Sequence, residues 1–490
     1  MSHQEMLEHA DFLAANKEEI ARGEWRLKYH VMPPVGWMND PNGFVEYNGQ
    51  YHLFFQYYPG AAEWGPMHWG HVISEDFAHW RYLPTALAPS EEYDCDPSKQ
   101  GYGCFSGSAL PDSDGNLVLM YTGHVDDRVP MQTQNIAIST DGVHFEKYER
   151  NPVISQPPAG GTEDFRDPKL VTIGEEVFAV IGNRSEETGR AVVYKSDKSM
   201  RSWEYMGVLS AADGKNGTMW ECPDLFPLGE RFALIFSPMQ GTVNTNPLIQ
   251  LGIFDRKTGQ FTAETERVLD GGIDFYAPQT MVDHQGRRIL IAWMQQWFQT
   301  NVTASEGWAG AMTLPRELTV DERGTIRQVP LPELEALRKA PVVSERRIVG
   351  QEGFSVEAPV SCEIKLLLGE ETSAQKFRIL VRASEDRKEA TVFDVDTVAG
   401  TVTCDRARSG VGNTSESAAK FRPRAGTGGF EIRLFLDTCS VELFAAGGEA
   451  TLTNRIYPSL SSKGFFIEPV DGEMQVDELT IWPMGSAYLD

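Results

Sequence analysis

Three acidic side chains stand in short polar-aromatic signatures of this 490-residue chain: Asp40 in GWMNDPNGFV, Asp167 in DFRDPKLV and Glu221 in WECPDLF. Brought into one pocket, two of them suffice to cleave an acetal bond with retention. One, ionised, attacks the anomeric carbon. The other, protonated, donates to the leaving oxygen and then activates water, which asks for carboxyl groups about 5 to 5.5 Å apart. The third can hold sugar hydroxyls. Aromatic residues crowd the same stretches (Trp37, Tyr57, Trp64, Trp69, Phe105, Trp220, Tyr276, Trp293 and Trp308), with Asn39, Gln56 and Arg166 among them. Sugar rings stack an apolar face on aromatics while their hydroxyls need amide, carboxylate or guanidinium partners, so the mixture suits a carbohydrate. Each signature alone has a plainer reading. Asn39-Asp40-Pro41-Asn42-Gly43 is a good turn, Arg166 and Asp167 make a structural ion pair, and Trp220 and Cys222 pass for core. His68, His71 and His124 lack a fourth ligand at usable spacing and read as hydrogen-bonded histidines, so no metal and no organic cofactor is expected.

The elements that must position these acids form a repeat. Five signatures, the three above with GCFSGSAL and DFYAPQTMV, are each followed by a β-rich run: GQYHLFFQYY, GNLVLMYTGH, EEVFAVIGNR, ERFALIFSPM and RRILIAWMQQ. Taking Asp40, Ser106, Asp167, Glu221 and Tyr276 as markers of phase, the steps are 66, 61, 54 and 55, near the roughly 50 residues of a four-stranded propeller blade. Ser-Asp turns before an aromatic, in SEDFAHWRYL, STDGVHFEKY and SDKSMRSWEY, read as outer hairpins of successive blades. The expected fold is all-β: a five-bladed propeller over 27–330, a linker helix over 331–345 with Leu334 and Leu337 at helical spacing, and an antiparallel β-sandwich over 346–490, preceded by a helical extension over 1–26. Because the innermost strand of every blade lines one funnel, equivalent positions in successive repeats converge. The spacing therefore predicts that the three acids meet.

Composition narrows the partners. The length exceeds what one hydrophobic core spans, and 41% hydrophobic residues with 10% aromatics exclude a disordered chain. Seventy acidic against 44 basic residues leave a net charge of −26, which repels nucleic acid and anionic lipid. The first residues carry no continuous apolar segment, no window suits a membrane helix, and six scattered cysteines lack ligand spacing. A cytoplasmic protein with free thiols is expected, as monomer or homodimer.

In this order, WMNDPNG at 37–43, FRDPK at 165–169 and WECPD at 220–224 resemble the three hallmark blocks of glycoside hydrolase family 32, the invertase and β-fructofuranosidase group. FSGSA at 105, DFYAPQT at 274, the run from Trp308 to Leu318 and DTCSVELF at 437–444 are similar to supporting blocks, so the resemblance covers the chain from about residue 27 onward. It implies Asp40 as nucleophile forming a covalent fructosyl-enzyme, Glu221 as acid/base, and Asp167 as stabiliser of the transition state through fructose hydroxyls. It implies a fructose pocket from Trp37, Asn39, Gln56, Trp64, Phe105, Ser106, Arg166, Asp274, Tyr276 and Trp293. Sucrose and short fructo-oligosaccharides are the implied substrates, with sucrose 6-phosphate as the alternative, although no Lys/Arg cluster to hold its phosphate is legible. Two other classes stay open: an inverting arabinanase-like or xylosidase-like propeller, with carboxylates about 6.5 to 9.5 Å apart, and a sugar-binding propeller without catalysis. For the retaining reading, Asp40 should stay ionised, held by Asn39 or backbone amides, and nearby carboxylates and partial burial should raise the pKa of Glu221, giving a bell-shaped pH profile.

Overall fold

Hydrophobic runs without polar alternation, such as Leu117–Val125, are buried along their whole length, which places them inside a stack of sheets rather than on its surface. The computed structural model describes residues 2–15, 20, 23–241, 243–412, 415–424 and 428–488. Five antiparallel sheets follow one another along the first two thirds of the chain. Their first strands are Gly36–Tyr47, Tyr102–Pro111, Phe165–Ile173, Met219–Leu228 and Tyr276–Val282. Each touches the next, and the fifth returns to touch the first, so these strands ring one axis. Trp308–Ala309 strengthens the closure by pairing in parallel with Gly36–Trp37. Neighbouring sheets approach so tightly that a Cβ at Gly182 would stand 2.2 Å from the Trp220 carbonyl oxygen. Outer strands read the other way, with Gln260–Val268 mostly exposed. The Ser-Asp turns join third to fourth strands, where Asp76 and Asp141 each accept hydrogen bonds from two following amides.

The N-terminal helix spans His3–Ala14, begun by a capping box between Ser2 and Glu5. It lies on the strand Trp80–Leu87, where Asp11 accepts from the amide and hydroxyl of Thr85. Of the rest of the expected extension over 1–26, residues 1, 16–19, 21 and 22 fall outside the described residues, and 23–26 form a turn rather than helix. The linker expected over 331–345 is shorter: a six-residue 3-10 helix, Pro332–Leu337, is all that is helical. The strand Val343–Val349 already pairs with Met474–Pro483, so the sandwich begins before residue 346. Its alternating half-buried and exposed residues suit an edge strand better than a helix. Two six-stranded antiparallel sheets make up the sandwich, closed over a core that includes Ile364, Phe377, Ile379, Phe393 and Leu434.

Leu334 and Leu337 join a second core with Phe44 and Tyr51 from the ring and Phe435 and Phe444 from the sandwich. Beside it runs a chain of buried charges. Arg316 bonds Asp270 at 2.7 Å and also Glu442; Glu442 takes a 2.9 Å bond with His30, whose other nitrogen meets Asp437 at 2.9 Å. All five side chains are fully buried. Burial alone would push the His30 imidazole down, but Asp437 and Glu442 outweigh it and hold the group up at about 9. With the folded value above the ordinary 6.5, this stabilisation is complete below pH 6.5 and fades as pH rises through about 9. His30→Ala leaves two carboxylates short of their cation and should lower the unfolding free energy by about 3–5 kcal/mol in urea titration. The variant should also lose the part of the decline in stability between pH 6.5 and 9 that His30 supplies.

Candidate active site

Every first strand is broken by a bulge at the same place: between Met38 and Pro41, Phe105 and Gly107, Arg166 and Lys169, Glu221 and Asp224, and Tyr276 and Gln279. A bulge adds a residue, bends the strand and re-aims its side chains. Proline, which cannot donate to a ladder, is tolerated there, and four of the five signatures place one in or beside the bulge. Asp167, Cys222 and Ala277, each just before its proline, have φ of 65°, 48° and 49°, a region costly for residues other than glycine. The phase markers need one correction. By their prolines and Gly107, the equivalent positions are Asp40, Ser106, Asp167, Cys222 and Ala277, while Glu221 and Tyr276 stand one residue earlier, with Arg166. Spacing alone does not reveal this, because a one-residue shift is small against a step of more than fifty.

The bulges bring the acids together. Asp40 Oδ2 accepts from Ser106 Oγ at 2.6 Å and Oδ1 from Asn39 Nδ2 at 3.1 Å; Trp37 Nε1 in turn donates to Asn39 Oδ1 at 2.7 Å. Asp167 Oδ2 accepts from the Cys222 amide at 3.0 Å, and its own amide donates to Thr122 Oγ1 at 3.0 Å. Glu221 Oε1 accepts two bonds from Arg166, at 2.9 and 3.2 Å, while Oε2 accepts from Tyr276 OH at 2.6 Å and Asn244 Nδ2 at 3.1 Å. Arg166 also bonds Asp164 at 2.7 Å. The Cys222 thiol lies between the other two acids, 3.4 Å from Asp40 and 3.6 Å from Asp167.

Around the acids stands an aromatic wall. Trp37, Trp64, Phe105, Tyr276, Trp293 and Cys222 belong to one packed cluster. Trp64 meets Phe105 edge-on at 5.9 Å. Trp293 is completely buried and supports Trp37 edge-on from behind, at 5.8 Å. Gln56 donates to the Cys104 carbonyl at 2.9 Å, tying the first sheet to the second.

Burial dominates the electrostatics. It pushes Asp40 above the usual carboxylate range; the Ser106 bond opposes it, the Glu221 charge adds to it, and the Asn39 bond opposes it again. Asn39 and Ser106 thus support the charge on Asp40 but, against expectation, do not outweigh burial, and the nearby backbone amide of Cys222 serves Asp167 instead. Asp167 is pushed up to about 7, by burial first and by the charges of Glu221 and Asp40, against the pull of Arg166. Burial and the three acids raise the Cys222 thiol well above its usual value, so it faces them as a neutral S–H. Between Asp40, Asp167 and Glu221, charge is confined in a space that tolerates little of it, which is how acids at one site come to differ in protonation.

Asp274 is not part of this wall. Its carboxylate accepts from Arg406 at 2.8 Å and from the Arg455 amide at 2.8 Å, wholly buried, and so fastens the ring to the sandwich. Proximity to Tyr276 in sequence misplaced it, since Asp274 lies in the bend ahead of the strand Tyr276–Val282 and not on the strand itself. Three contributors escaped the sequence reading. Asn244 lies outside every signature, and Thr122 sits in a second strand. Trp297, partly exposed and stacked on Trp37 at 5.8 Å, was legible as a further aromatic four residues beyond Trp293. His124 stacks on Phe105 at 4.1 Å and bonds Asp126, and among the described residues no His, Cys, Asp and Glu cluster could hold a metal.

Comparison with known proteins follows the same division of the chain. Residues 30–330 match the family model described as the glycosyl hydrolases family 32 N-terminal domain, and residues 333–483 the family 32 C-terminal one. A sucrose-6-phosphate hydrolase of Zymomonas mobilis is 34% identical, covering 100% of this chain and 98% of its own. A raffinose invertase of Escherichia coli is 37% identical, covering 96% and 97%. Among solved structures, a family 32 β-fructofuranosidase of Bombyx mori superposes with a TM-score of 0.85 at 34% identity, covering 99% of each chain. For the acids themselves, a carboxyl signal titrating near pH 7 in carbon-13 NMR should vanish in Asp167→Asn, and in Asp40→Asn that signal should move to lower pH, one neighbouring charge having gone.

Proposed function

Because the chain belongs to glycoside hydrolase family 32, we propose that Asp40, Glu221 and Asp167 hydrolyse a β-fructofuranoside by double displacement. The protein is a glycoside hydrolase of the fructofuranosidase type that acts on sucrose to release fructose. The observation that carries the assignment of roles is the contrast between two acids in one space. Asp40 faces neutral donors, Ser106 and Asn39, and is free to attack. Glu221 is held between Arg166 on one oxygen and Tyr276 with Asn244 on the other, which fixes the position from which it delivers and recovers a proton.

In this scheme Glu221 protonates the glycosidic oxygen as Asp40 bonds to the anomeric carbon, and glucose leaves. Glu221 then takes a proton from the water that cleaves the fructosyl-Asp40 ester. Asp167 holds fructose hydroxyls; Thr122 pins its backbone amide and the Cys222 amide its carboxylate, which keeps the carboxyl in place through both steps. Trp37 is buried between Trp293 and Trp297, and the exposed Trp297, stacked on it, offers a ring to the sugar.

Unphosphorylated sucrose and short fructosides fit the charges best. Arg166 is engaged by Asp164 and Glu221, Arg184 by Glu187 and Asp164, and Lys147 by Asp94, so none of these cations stands ready for a phosphate. Relatives named for sucrose 6-phosphate favour the second reading. Free cysteines support a place in a reducing compartment.

Replacing Glu221 with Ala should lower kcat on sucrose by about two orders of magnitude or more. With an activated fructoside the same variant should accumulate an adduct on the peptide carrying Asp40, detected by mass spectrometry; an unmodified Asp40 would refute the assignment. Between the two substrates, kcat/KM should be higher for sucrose than for its 6-phosphate, and the reverse order would select the phosphorylated one.

A further inference from the structure

A cleft of about 750 Å³ opens between the fourth sheet of the ring and the sandwich, with none of the three acids in its lining. Its volume is that of a small-molecule site. In a protein of net charge −26 its lining is unusual, for Lys215, Arg267 and Lys420 face one carboxylate, Glu449. Both oxygens of Glu449 are already engaged, one by Arg327 at 3.0 Å and the other by the Arg422 amide at 3.0 Å. Glu266, the neighbour of Arg267, accepts from Asn216 and Gln250, and the exposed Lys215 has only a 3.7 Å contact with Asp213.

Arg267 is the charge left over. Its Nη2 donates to the Ile326 carbonyl at 2.5 Å, and its Nε is buried with no partner. Burial pushes the guanidinium down to about 10, with Glu449 as the opposing influence. The remaining nitrogen, Nη1, has no hydrogen bond among the described residues and is not closed off as Nε is, so an anion brought in from outside can accept from it, and a guanidinium suits phosphate. The remaining walls offer Thr245, Asn246 and Thr451 for hydroxyls and Pro238, Leu248 and Leu269 as an apolar surface. Aromatic residues are absent from the described lining, which disfavours a nucleobase.

We propose that this cleft is a second binding site, separate from the acids, for a hexose phosphate: the phosphate on Arg267 and Lys420, the sugar against the polar and apolar wall. The test is calorimetric titration of the full chain at low ionic strength with glucose 6-phosphate, glucose and inorganic phosphate. Glucose 6-phosphate should bind one site, more tightly than either fragment, and weaken as salt is added. Arg267→Gln should raise its Kd about tenfold or more, and Lys420→Gln, at an exposed position, about threefold. Binding unchanged by both substitutions, matched by glucose or inorganic phosphate alone, or absent altogether, would overturn the proposal. Because the measurement needs no turnover, its failure leaves the hydrolytic assignment standing, and an inactive enzyme would leave the cleft assignment standing.

Discussion

Five strands that must crowd around one axis cannot all keep regular ladders with their neighbours. Each yields at a bulge, and the bulges fall at one level. This relaxation is the constraint on which the rest depends, since it releases Asp40, Ser106, Asp167, Cys222 and Ala277 from the strand pattern. Proline makes the break permanent by withholding a donor, and the positive φ at Asp167 and Cys222 is strain that the closed ring sustains. Side chains mounted on packed strands are held far more rigidly than on loops, and a reaction needing two carboxyl groups in register benefits from that rigidity.

Confinement then does the electrostatic work. Three acids share a buried space with one guanidinium, so their charges cannot all be accommodated alike. Arg166 settles on Glu221, the Cys222 amide on Asp167, and Ser106 with Asn39 on Asp40. Three acids of similar chemistry thus receive three different environments. That differentiation permits one to act as nucleophile and another as proton carrier.

The sandwich contributes at a distance. His30, Arg316 and Asp270 come from the ring side, Asp437 and Glu442 from the sandwich, and their buried bonds join the two units without exposing a charge. Asp274 adds a second fastening through Arg406, two residues from Tyr276 and so close to the wall of the site. Holding the fifth sheet in place from behind keeps the ring closed, because that sheet must meet the first.

Much was legible in the residues themselves. The alternation of apolar and polar side chains, the Gly and Ser-Asp turns and the recurrence of five signatures determined an all-β chain with a repeat, because those patterns are local and reflect which side of a strand is buried. The three acids and their aromatic company were also determined, since chemistry at an acetal leaves few residue types to choose from. The prolines already carried the one-residue phase of Glu221, and Trp297 follows Trp293 by four residues. Only the tertiary structure decided that Asp274 serves the interface and that Asn244 and Thr122 complete the site. A bulge changes the direction of a side chain without changing the spacing of residues along the chain, and a contact between distant strands leaves no trace in the composition of either.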